Sequence, residues 1–77
     1  MDSVLALRAL VAILSDEPMR ERFLALTGYD GETLKARAAS TEVADAVAAF
    51  LGGHEPDLLR VAAALDLPPE QLVDWRE

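Results

Sequence analysis

The chain has 77 residues, no cysteine, and a formal net charge of −7 from 14 acids against seven bases. That length leaves room for one small core. The missing thiols exclude disulfide staples and thiolate metal sites, and the acidic balance argues against nucleic acid and against anionic lipid. Hydrophobic residues reach 52%, much of it alanine and leucine. These residues lose little side-chain entropy in a helix, so the composition favours helix over strand.

The first predicted helix runs from Ser3 to Leu14, with Asp2 or Ser3 as its cap. Val4, Leu5, Leu7, Leu10, Val11, Ile13 and Leu14 surround nearly the whole cylinder, and Arg8 is its one strongly polar residue. A helix apolar on all sides is usually central in a core; the alternative is a helix that binds a partner. The apolar run is too short to span a bilayer. It also lacks a basic leader region and a clear cleavage site, so the expected location is the cytoplasm.

Ser15-Asp16-Glu17-Pro18 ends that helix and begins the next, where proline fits a first turn because its missing N–H has no partner there anyway. Met19, Phe23 and Leu26 share one stripe at the i, i+4, i+7 spacing. Gly28 suits the left-handed position after the helix end. Asp30 caps a short third helix ending near Ala38, with Tyr29 and Leu34 placed as a hydrophobic staple and Glu32 complementing the dipole.

Ser40 or Thr41 caps a fourth helix to Leu51, with Val43, Val47, Phe50 and Leu51 on its buried stripe and Gly52-Gly53 as its stop. Glu55-Pro56-Asp57 opens a fifth, whose Leu58, Val61 and Leu65 face inward and whose Leu59 widens that face. Leu67-Pro68-Pro69-Glu70 starts a sixth, with Pro69 at its first position, Leu67 stapling to Leu72, and Trp75 covering the end of the core. No stretch alternates as a strand does.

A shift of 38 residues lays this punctuation on itself. Glu17-Pro18 falls on Glu55-Pro56, Arg22 on Arg60, Ala25 on Ala63, Glu32 on Glu70 and Leu34 on Leu72. Asp66 falls on Gly28 without matching its chemistry. The matches cluster at helix starts, which points to two tandem three-helix units, residues 1–38 and 39–77.

Nothing in the sequence carries chemistry. His54 is the sole imidazole, in a glycine-rich turn, and reads as a cap or a solvated loop residue. Asp30-Gly31-Glu32 lacks the ligands of a calcium loop. Ser3, Ser15 and Ser40 sit at helix boundaries rather than in a nucleophile elbow. Gly52-Gly53 has no following Lys-Ser/Thr to make a phosphate loop. The carboxylate pairs Glu17/Glu21 and Glu70/Asp74 read as exposed neighbours on a helix face. Asp57 with Arg60 and Glu32 with Lys35 read as ordinary i, i+3 pairs. Arg22 and Arg60, equivalent under the shift, read as salt bridges or stems over the core, or as paired contacts to an acidic partner.

Asp16-Glu17-Pro18, Arg22-Phe23-Leu24-Ala25-Leu26-Thr27-Gly28-Tyr29 and Glu32-Thr33-Leu34-Lys35-Ala36-Arg37-Ala38 resemble a small bacterial family, domain of unknown function 3572 (DUF3572). The likeness continues through Val47-Ala48-Ala49-Phe50-Leu51 and Leu67-Pro68-Pro69-Glu70, with His54 and Trp75 outside it. It implies a short, cytosolic, helical protein and supplies no catalytic residues.

The sequence therefore predicts an all-α bundle of six short helices, two three-helix units sharing one core about an approximate two-fold axis. The expected function is a non-enzymatic protein-interaction or regulatory module, without cofactor or metal, acting on a protein partner or by self-association. Its candidate interaction residues are Arg22, Arg60, Leu59, Val73 and Trp75. The alternative is a small-ligand-binding or enzymatic protein that uses a cleft between the two units, with Arg22 and Arg60 converging on it.

Overall fold

The computed structural model describes residues 3–73. Its element order is α1 (Ser3–Ser15), α2 (Glu17–Thr27), α3 (Gly31–Arg37), α4 (Thr41–Gly52), α5 (Glu55–Leu65) and α6 (Glu70–Val73). The described residues contain no strand. The predicted boundaries hold to within about two residues; Pro69 lies just before α6 rather than at its first helical position.

The helix ends follow local chemistry. The Asp30 carboxylate accepts the Thr33 N–H at 2.7 Å, and the Ser40 hydroxyl accepts the Val43 N–H at 3.2 Å, so each satisfies a donor that the helix leaves free. Gly28, at φ 77°, ends α2 by donating its N–H to the Leu24 carbonyl at 2.9 Å. Asp66 takes the same left-handed role after α5 at φ 59°, and the following Leu67 N–H reaches the Ala62 carbonyl at 2.9 Å. Aspartate is one of the few side chains that adopts this region readily. The equivalence of Gly28 and Asp66 is thus conformational even though the residues differ.

The core is one contiguous cluster to which every helix contributes. Ala9, Leu10 and Ile13 come from α1, and Met19 and Phe23 from α2. Leu34 comes from α3, while α4 gives Val43, Val47, Phe50 and Leu51; Val61 and Ala62 of α5 and Leu72 of α6 close it. Within it Phe23 and Phe50 meet edge to face, with ring centroids 5.2 Å apart and planes at 88°, the arrangement the ring quadrupoles favour.

Helix α1 packs on α2, α4 and α5, and α4 packs also on α5 and α6. An exact two-fold relation requires α2 to approach α4 as closely as α5 approaches α1, and α3 to approach α1 as α6 approaches α4. Both reciprocal contacts are slight. The expected symmetry of two units is therefore not displayed by the packing: α2 and α4 are bridged by phenylalanine rings instead of lying in close contact.

Leu26 departs from its expected place. It is 74% exposed, whereas Met19 and Phe23 on the same predicted stripe are buried. Leu24, half-buried against the core, lies on the side of α2 away from Leu26, so the packing face is turned towards it. Replacing Phe23 by alanine should cost about 3–5 kcal/mol, a large share of the roughly 4–11 kcal/mol available to a chain of this size. Leu26→Ala should stay within about 0.5 kcal/mol. Urea unfolding followed by circular dichroism of the two variants measures the difference.

Candidate functional site

Two surfaces combine charge with apolar lining. The first is built around an inter-helix ion pair. Asp57, in the first turn of α5, is 1% exposed, and its carboxylate accepts a hydrogen bond from the Arg22 guanidinium of α2. Two features make this buried anion tolerable: the bonded guanidinium and a first-turn position that favours negative charge. No buried side-chain polar atom among the described residues lacks a partner. The hydrogen bond to Asp57 raises the Arg22 pKa above its ordinary value, burial opposes it, and the charges of Asp57 and Asp16 add to the rise.

Arg60 makes the complementary link, donating from α5 to Asp16 at the start of α2 at 3.3 Å. Asp16 spends its side chain there and makes no cap bond. The expected Asp57–Arg60 pairing along one helix is thus replaced by two bonds between helices. Asp57 precedes the buried Val61 by four residues and faces inward with it, out of reach of a surface neighbour. That spacing was the available signal for a buried carboxylate.

Leu26, Ala49, Phe50, Gly53 and His54 surround the Arg22–Asp57 pair in a shallow depression of about 260 Å³. Arg60 is not among its lining residues, so the two arginines do not converge on that depression. His54 is exposed at the N-cap position of α5 and makes no side-chain cap bond. No group of three metal-ligating side chains occurs among the described residues. Leu59 is 48% exposed on α5. The Val73 side chain and Trp75, two more of the candidate interaction residues, lie outside the described residues.

The second surface is the open face of α1. Leu7, Leu10, Val11 and Leu14 form one wall of a groove of about 490 Å³. Leu24 of α2, Leu34 of α3 and Ala38 just after α3 form the other, with Arg20 and Lys35 also lining it. The groove exists because α3 has only seven residues and approaches α1 at few points, leaving part of a thirteen-residue helix uncovered. Val11, at 62% exposure, is the crest. On its other side a shallower depression runs past Arg8 to Leu65 of α5. None of these α1 residues was among the candidate interaction residues. The signal was an apolar circumference that a short chain cannot cover completely.

A family model described as protein of unknown function (DUF3572) matches residues 2–77. The chain belongs to that family. Membership of DUF3572 assigns no role to any residue. No curated protein and no solved structure matches the chain. No helix among the described residues is long and apolar enough to cross a membrane.

The ion pair makes an asymmetric prediction. Arg22 keeps 44% of its side chain in water, whereas Asp57 keeps 2%. Arg22→Met strands a buried carboxylate, while Asp57→Asn leaves a cation that solvent can still reach. Thermal melts at pH 7 should show the larger loss of Tm for Arg22→Met.

Proposed function

We propose that this chain is a bacterial, cytoplasmic, non-enzymatic interaction module, with the open face of α1 as its working surface. The observation that carries this reading is the exposure of Val11 on the crest of a groove walled by Leu7, Leu10, Leu14, Leu24 and Leu34. Isolated apolar residues on a surface need no explanation, but a contiguous strip with a concave flank favours a binding role. Its volume is within the range of ligand pockets, about 300–1,000 Å³. It is an open trough, however, and suits a rod-like partner better than an enclosed small molecule. The acidic charge supports a protein partner over nucleic acid or an anionic membrane.

The interaction reading is favoured over the cleft reading because Arg22 and Arg60 are both engaged in ion pairs. A substrate seeking either guanidinium must compete with a carboxylate already bonded to it.

A photo-crosslinking amino acid in place of Val11 should yield a discrete protein adduct in cells that express the chain. The same probe in place of Asp45, exposed on α4, should yield none. Unlabelled wild-type chain should compete the adduct away, and the Val11→Asp chain, with unchanged helical circular dichroism, should not. Equal labelling from the two positions, or no adduct from Val11, defeats the reading.

A further inference from the structure

We propose that the partner lying along α1 is an amphipathic helix of another protein, apolar on one face and acidic along both flanks. This refinement rests on the interaction reading above. It is argued from where the unpaired cations lie. Among the described residues Arg22, Arg37 and Arg60 are each held in an ion pair. Arg8, Arg20 and Lys35 make no salt bridge, and all three line the open face of α1. Arg20 and Lys35 stand on the α2–α3 side of the Val11 crest, and Arg8 stands on the α5 side. In a chain of net charge −7, the cations among the described residues that no carboxylate holds are gathered at its apolar trough. Such an arrangement selects an anionic partner by charge complementarity.

The distribution also distinguishes between anionic occupants. A fatty acid carries its charge at one end, whereas these cations lie on two sides of an apolar crest. An anionic bilayer is repelled by the excess of carboxylates over the rest of the molecule. A second copy docked face to face brings Arg8, Arg20 and Lys35 against the same residues, because a two-fold contact uses one patch twice. A helix with acidic flanks meets none of these objections. Leu7 and Leu14 are seven residues apart, about 10 Å of helix. That matches the spacing of i, i+3/i+4 and i+7 anchors on a helix lying in a groove.

The test uses the full chain and two synthetic peptides of about 18 residues. They share leucines at that anchor spacing and differ only in glutamate or lysine flanks. Amide NMR titration should move Leu7, Val11, Leu14, Leu24 and Leu34 with the glutamate peptide. The lysine peptide should bind about tenfold more weakly or worse. Raising salt from about 50 to about 300 mM should weaken the glutamate complex by a similar factor. The charge-reversal variant Arg20→Glu/Lys35→Glu, checked for unchanged helicity, should reverse the preference.

Equal binding of the two peptides overturns the proposal. So does occupation of the same residues by phosphatidylglycerol vesicles, or dimerisation through them in sedimentation equilibrium. If the Val11 probe captures a protein while the charge preference is absent, the acidic-helix assignment fails and the interaction reading stands. If the probe captures nothing, both fail.

Discussion

Helix α1 has apolar side chains around most of its circumference, and water must be kept from them before the other helices have a common surface on which to assemble. Three elements do this: α2 and α5 pack on α1 along with α4, the second hub, which holds α6 in turn. The relation is geometric. Helices pack at about 8–10 Å between axes, so a small number of neighbours surrounds a central one. Here α3 is too short to complete the ring. The uncovered remainder follows from the same constraint that creates the core.

The charged links belong to this constraint. Arg22–Asp57 joins α2 to the first turn of α5, and Arg60–Asp16 joins α5 back to the start of α2. An exposed pair such as Arg60–Asp16 adds little stability by itself. A buried carboxylate is different, because it is costly wherever its partner is absent. Packings that separate Asp57 from Arg22 are therefore penalised.

Much of the fold was legible in the sequence because its boundaries depend on local chemistry. Pro18, Gly28, Asp30, Ser40 and Pro56 act within a turn or two of chain, and each stands where its own conformational preference placed it. The stripe of α4 was legible as well, since Val43, Val47, Phe50 and Leu51 face neighbours on several sides. Leu26 was not, because the rotation of α2 about its axis is set by Leu24 and the rest of the tertiary contact. Asp57 was read as a surface residue because its partner is 35 positions away. The groove on α1 lies furthest from sequence reasoning: it depends on which of many apolar residues remain uncovered, a property of the assembled bundle. Helix α1 was read as central or as partner-binding, and its placement agrees with a central helix that retains an open face.

Because α1 is shielded by α4 and α5 as well as by α2, synthesis order leaves it greasy and solitary for a time. On the ribosome the first helix emerges well before most of the surface that will enclose it. Leu10 and Ile13, sealed in the finished molecule, are then as accessible as Val11. The nascent chain thus presents a broader sticky face early in its life than the mature one does, which makes that interval its period of greatest exposure to chaperones and to aggregation.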